Sequence, residues 1–298
     1  MKLMSEMCKT VRACYYEHVR IPYIRKVMFR NLKIKGAMET VQYIIDHHSS
    51  VSRYGDGELD VIFGGCRGFQ QYDPQLAVRL REVLGSNLPN HIVCLPYPFL
   101  HSSHLRFSSN KFWAYYIGMN AQQLRQVIDF KKQYFDTEIS RFYIDNKDRS
   151  HCADHLALLK KIWKARDVII VEGRYTISGV GNDLFDEAAS IKRIICPAEN
   201  AYTKYDEIIA AVKSYAMKDS LILLSLGMAA TVMAYDLSQA GLQAIDLGHL
   251  DVEYEWFRMQ TDWKVPLPNR YVNEVDGGNE VRQCYDPKYL NEILTRIE

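Results

Sequence analysis

Between residues 167 and 248 the chain carries four short apolar runs: DVIIVEG at 167–173, IKRIICPA at 191–198, SLILLSLG at 220–227 and LQAIDLG at 242–248. Strands that are apolar at nearly every position must be covered on both faces, which is the condition of a parallel sheet rather than of an antiparallel one with a wet side. The stretches flanking and separating them have helical spacing, and predict helices over His155–Lys164, 182–189 (NDLFDEAA), Tyr205–Met217 and Ala229–Ala240. Strand and helix therefore alternate. The expected fold class is α/β: a Rossmann-like, mostly parallel sheet with helices on both faces. In such a fold ligands occupy the crevice beyond the carboxyl ends of the strands, so functional residues should follow strands.

The first half fits the same plan less completely. Helical spacing runs from Met38 to His48, and Val51–Tyr54 reads as a short strand entering a turn, Gly55-Asp56-Gly57-Glu58. The stretch DPQLAVRLREVL predicts a helix with Asp73 as N-cap and Pro74 in its first position, and HIVCLP at 91–96 predicts a strand. From Tyr97 to Ser150 the periodicity is too weak to assign elements. No linker or repeat divides the chain, so residues 38–298 read as one domain and 1–37 as a basic helical extension.

Charge separates these two parts. Overall, 37 Lys and Arg stand against 36 Asp and Glu, a net +1 that gives no field for nucleic acid. Residues 1–36 instead hold nine basic side chains (Lys2, Lys9, Arg12, Arg20, Arg25, Lys26, Arg30, Lys33, Lys35) against Glu6 and Glu17. Such a segment either rests on anionic lipid or packs on the domain as a solvated helix. The seven cysteines are scattered without a CxxC pair, no apolar run approaches the ~20 residues of a membrane span, and the start lacks a signal-peptide core. A cytoplasmic protein, peripheral at the inner face of the membrane, is expected.

Three constellations could carry chemistry. At the end of the first strand, Arg53, Gly55, Asp56, Gly57 and Glu58 combine a phosphate-pairing guanidinium, close backbone approach and hard oxygens; the alternative is a solvated Asp-Gly turn. Gly179-Val180-Gly181-Asn182-Asp183 could present backbone N–H groups to a phosphate at an Asn-capped helix. It is not the full dinucleotide fingerprint, because Leu184 and Phe185 fill the region of the third glycine. In the run 246–256 (DLGHLDVEYEW), an extended chain would place His249, Asp251, Glu253 and Glu255 on one side, where two carboxylates could converge on Mg²⁺ or Mn²⁺. The alternative there is an amphipathic edge strand. The lone histidines have no matching Ser or Cys nucleophile, so a hydrolase triad is unsupported.

Together, SRYGDGE (52–58), FQQYDPQLAVRL (69–80), DTEISRFY (136–143), the VEG…GVGNDLF block (171–185), RIICPAENAY (193–202) and DLGHLDVEYEW (246–256) resemble the GT-D glycosyltransferase family over roughly residues 38–274. The resemblance implies a UDP-sugar donor, a DxE motif for Mn²⁺ or Mg²⁺, and transfer of a hexose such as glucose to a glycan or lipid-linked glycan in bacterial polysaccharide or glycoprotein synthesis. Two DxE triplets occur, and the family pattern does not settle between them. Asp251 and Glu253 are assigned to metal, and Asp56, Glu58, His249 and Glu255 to catalysis. Arg53, Gly55, Gly57, Arg141, Gly181, Asn182, Asp183 and Asn200 are assigned to the donor. The competing readings are a nicotinamide-dependent oxidoreductase and a non-catalytic nucleotide-binding scaffold.

Overall fold

The computed structural model describes residues 11, 15–66 and 68–298. Nine strands form one sheet in which every pairing is parallel, in the order β1-β4-β3-β2-β8-β7-β5-β6-β9. In chain order these are β1 (Lys33–Ile34), β2 (Ser50–Arg53), β3 (His91–Leu95), β4 (Gln133–Asp136), β5 (Asp167–Gly173), β6 (Ser190–Cys196), β7 (Leu221–Ser225), β8 (Gln243–Asp246) and β9 (Ile293–Arg296). The four apolar runs are β5 to β8. Their side chains alternate between layers: Val168 and Ile170 join the core on one face, Ile169 and Val171 the core on the other.

The first face is covered by α1 (Ala37–His47), α5 (Cys152–Lys160) and α8 (Leu250–Met259). The second is covered by α3 (Pro74–Gly85), α4 (Phe107–Val127), α6 (Tyr205–Tyr215) and α7 (Met228–Gln239). Two shorter helices are α2 (Asp56–Ile62) and α9 (Pro287–Glu292), and a helical stretch also runs from Tyr16 to Met28. As the sequence predicts, Asp73 caps α3, its carboxylate accepting from the Gln75 and Leu76 amides at 2.7 and 3.0 Å.

Three expectations change. Residues 182–189 form turns rather than a helix, because Leu184 and Phe185 are buried and the Leu184 carbonyl accepts from Trp163 Nε1, which pins the chain in an irregular course from β5 to β6. The run after Gly248 is helical, not extended: Asp251 and Glu253 are as buried as Val252 and Tyr254, so its alternation of polar and apolar residues does not mark two faces of a strand. Gly55-Asp56-Gly57-Glu58 is not a free turn but the N-terminus of α2, with Gly55 as N-cap and Glu58 Oε2 accepting from the Gly55 amide at 2.7 Å.

The basic segment falls partly outside the described residues, which omit 1–10 and 12–14. From Tyr16 onward it shares the core: Tyr16, Ile21, Ile24, Phe29, Leu32 and Ile34 are buried against α4 and β4. Among the described residues no helix is long and apolar enough to cross a membrane.

Candidate functional site

A cleft of about 220 Å³ opens at the carboxyl ends of β2, β8, β7 and β5. Of the residues assigned from sequence, Arg53, Gly55, Glu58, Arg141, Asn200, His249 and Asp251 line it. Sequence reasoning left out Phe69, Gln70, Ser225, Gly227, Asp246 and Tyr271, which are also part of the wall. A larger open hollow of about 530 Å³ lies at the amino ends of the strands. Its guanidinium, Arg166, is engaged by Gln243 at 2.5 Å, and ligands of open parallel sheets bind at the opposite end.

The electrostatics of the cleft centre on one arginine among carboxylates. Arg53 leaves β2 and donates from Nε to the Thr137 carbonyl at 3.0 Å, with Nη1 3.7 Å from Asp246. Asp246 ends the neighbouring strand β8 and accepts from the Gly248 amide at 2.9 Å and the Thr231 hydroxyl at 3.2 Å. Burial holds its carboxyl above the ordinary carboxylate range, with Arg53 opposing. Burial and the nearby charge of Asp246 push Glu58 up to about 7. Gly248 is required here twice over: its φ is +52°, and a Cβ would lie 2.2 Å from Arg53 Nη1. Gly227 likewise has φ +55° and Phe69 against it, and as the N-cap it turns the positive end of α7 toward the cleft wall that it lines.

The second acidic triplet is closed by other side chains. Asp251 Oδ1 accepts from the Gly179 amide at 2.7 Å and Asn182 Nδ2 at 2.9 Å, while Oδ2 accepts from Arg270 Nε at 2.5 Å. Glu253 is fully buried, accepts from the Ile144 amide at 3.1 Å, and has its other oxygen 3.4 Å from Arg141 Nε; burial pushes it up to about 7. Glu255 accepts from Asn182 Nδ2 at 2.6 Å and lies 3.2 Å from Arg258. On a helix, positions two apart point roughly 200° away from each other, so Asp251 and Glu253 do not converge. The extended geometry that would have made them one seat for Mn²⁺ or Mg²⁺ is absent; both Asp251 oxygens face protein donors, while Glu253 Oε1 is buried without a hydrogen bond, on a different side of the helix, so the residues present do not fit a shared cation. Among the described residues no group of three or more His, Cys, Asp and Glu is placed to hold a metal.

The remaining assigned residues divide similarly. Arg141 forks onto Glu274, with Nη1 at 2.5 Å from Oε1 and Nη2 on Oε2, and its Nε lies 2.9 Å from Asp145. Glu274 also takes Lys264 at 2.7 Å and His249 Nδ1 at 3.2 Å, and although burial raises it, the Arg141 guanidinium, with His249 beside it, holds it well below the carboxylate range. Asp183 lies outside the cleft, bonded to Lys160 at 2.8 Å and to the Tyr254 hydroxyl, which bring it down to about 2. Gly181 and Gly57 also lie off the cleft wall. The Gly179 amide, expected to meet a phosphate, is bonded to Asp251 instead. Asn200 adopts a left-handed conformation (φ +53°) and its side chain accepts from the Gln71 amide at 2.7 Å, tying two cleft loops together.

This architecture is shared with solved structures and curated proteins. The model of the glycosyltransferase GT-D fold matches residues 51–275. A structure reported as showing that "the highly conserved domain of unknown function 1792 has a distinct glycosyltransferase fold" superposes with a TM-score of 0.88 at 37% identity, covering 93% of this chain and 99% of that one. A second, a "new glycosyltransferase" from Streptococcus sanguinis, gives 0.86 at 37% identity, covering 90% and 100%. Glycosyltransferase GlyD of Streptococcus pneumoniae is 39% identical over 273 residues, and the probable glycosyl transferase Gly of Streptococcus gordonii 37% over 269. The alignments cover 89% and 90% of this chain but 33% and 39% of those proteins, so the chain spans about a third to two fifths of their length. With the fold, the family model and these relatives in agreement, the chain belongs to the GT-D-fold family of glycosyltransferases.

Proposed function

We propose that this chain transfers a hexose from a UDP-sugar to a hydroxyl of a glycan or lipid-linked glycan, in the synthesis of a bacterial polysaccharide or glycoprotein. The observation that carries the reading is the convergence, at the carboxyl ends of adjacent parallel strands, of Arg53, Glu58, Asp246 and the Gly227 end of α7. Arg53 and the α7 amides supply positive potential for the donor diphosphate. The Glu58 carboxyl, up at about 7, exchanges protons at neutral pH and accepts the acceptor hydroxyl's proton. The acceptor oxygen then bonds to the anomeric carbon while the bond to the diphosphate breaks, its electron pair leaving on the diphosphate oxygen. Asp251 and Glu253 do not fit a shared Mn²⁺ or Mg²⁺.

Separate incubations with UDP-glucose, UDP-galactose and UDP-N-acetylglucosamine, measuring UDP release, test the proposal together with calorimetry of UDP and NADH. Release from at least one donor is expected. Tight NADH binding without UDP binding would turn the assignment to an oxidoreductase. UDP binding without release from any donor would turn it to a nucleotide-binding scaffold.

A further inference from the structure

The N-terminal helical stretch buries one side in the core and leaves the other bare. Val11, Tyr15, Val19, Tyr23 and Val27 recur every four residues and each is half-exposed or more. In a pure α-helix a strict four-residue spacing drifts about 40° per step and would wind off any flat surface. Here π-turns at Tyr16–Arg20 and Ile24–Met28 flank the α-turn Ile21–Tyr23, and their wider turns offset the drift. The row continues onto α4. Tyr16, packed at the centre, has its ring 5.8 Å from Tyr115 and its hydroxyl on Met119 Sδ at 3.2 Å, and both Tyr115 and Met119 are exposed.

Cations flank this strip along the chain. Arg20, Lys26, Arg30 and Lys33 are exposed, Arg20 with its guanidinium 5.3 Å from the Tyr16 ring, and no carboxylate among the described residues forms an ion pair with them. A water-facing helix of this charge would be expected to carry acids among its bases, whereas residues 1–36 hold nine bases and two acids. An apolar strip flanked by cations that have no carboxylate partner among the described residues is the pattern that lies in a bilayer interface, side chains in the acyl boundary and charged groups at the phosphates.

We propose that this face is an interfacial docking surface for an anionic lipid bilayer. α4 ties it to the cleft: the Tyr116 hydroxyl donates to the Asp56 carbonyl at 3.3 Å and to Asp60 Oδ1 at 3.0 Å, on the helix that begins at Gly55. A surface so placed holds the cleft beside the membrane, and it stands or falls independently of which sugar is transferred.

Co-sedimentation of the full chain with vesicles of phosphatidylglycerol and phosphatidylcholine, or of phosphatidylcholine alone, tests this at low and high salt. Binding is expected to the anionic vesicles and to weaken with salt. Each Lys or Arg contributes about fivefold in partitioning, so Lys26→Gln with Arg30→Gln should weaken binding about 25-fold. Val19→Ser with Tyr23→Ser should weaken it as well, with the melting temperature held because these side chains are exposed. The proposal is overturned if the unmodified chain stays in the supernatant with anionic vesicles at low salt, or if neither double variant alters binding. It is also overturned if light scattering finds a dimer that Tyr23→Ser dissociates, which would make the strip a contact between copies.

Discussion

Asp56-Gly57-Glu58 and Asp251-Val252-Glu253 occupy equivalent places. Each triplet begins a helix, α2 or α8, just after a strand, and the two strands β2 and β8 are neighbours, Val51 lying beside Ile245. What differs is the company. Around Asp251 stand Arg270, Asn182 and the Gly179 amide, so this acid anchors the segment after α8 and the loop after β5, while Glu253 is sealed in the core beside Arg141 and the Ile144 amide. Beside Glu58 stand its own helix's amide and another acid, Asp246. A carboxylate satisfied by cations holds structure together; a carboxylate crowded by like charge on the wall of a cleft is available to react. One pattern of residues thus yields a fastening in one place and a reactive group in the other.

The largest effect that would break this comparison is on turnover. Glu58→Gln keeps the shape and the Gly55 contact but cannot take a proton, so sugar transfer should fall by about 100- to 10,000-fold. In the unmodified protein transfer should rise with pH through about 7, as the carboxylate forms. Stability should run the other way. The folded value is raised above the ordinary 4.5, so this group's stabilising contribution is full below 4.5 and is lost as pH rises through about 7. Melting curves from pH 5 to 8 should therefore be flatter for Glu58→Gln. A variant that retains transfer rate would remove Glu58 from the reaction.

The next effect belongs to the fastened triplet and is one of stability. Arg270 and Asp251 are almost fully buried, and removing one partner leaves an uncompensated charge, so Arg270→Ala should cost about 3 kcal/mol or more. For a chain of this length that lowers the melting temperature by roughly 5 °C or more. Arg270→Lys should recover part of it. If Arg270→Ala melts unchanged while turnover collapses, the arginine serves the reaction rather than the fold.

Strands β5 and β7, whose carboxyl ends reach the cleft, were legible because burial on two faces writes itself as unbroken apolar runs, as in Val168–Val171 and Leu221–Leu224. The α3 cap was legible because Asp73 and Pro74 act locally. α8 was misread as extended because its opening turns are enclosed on nearly every side, which removes the 3.6-residue period that an exposed face would print. α4 escaped notice because Phe107, Phe112, Tyr115 and Met119 on its outer side are themselves apolar or aromatic. Of the missing cleft residues, Asp246 had a readable signal, an acid closing an apolar strand. Phe69, Tyr271 and the partners Arg270 and Glu274 had none: they come from irregular segments that meet only in three dimensions.

The smallest effect is the most discriminating, because the comparison expects no change at all. Were Asp251 a metal ligand, Asp251→Asn would abolish whatever difference Mn²⁺ or Mg²⁺ makes to UDP binding, since an amide is a poorer ligand for a hard dication. As a fastening, it acts elsewhere. Asn can still accept from Gly179 and Asn182, but its amide would face Arg270 Nε, donor against donor, leaving that guanidinium with Glu255 at 3.7 Å as its nearest remaining carboxylate. The variant should lose about 1–3 kcal/mol of stability from the unsatisfied pairing. Calorimetric titration of UDP with added Mn²⁺ and with EDTA should give the same ratio of affinities for Asp251→Asn as for the unmodified chain, at a temperature where both are folded. A ratio that collapses to one in the variant alone would return the metal to this triplet, and would require α8 to turn Asp251 away from Arg270 when the donor binds.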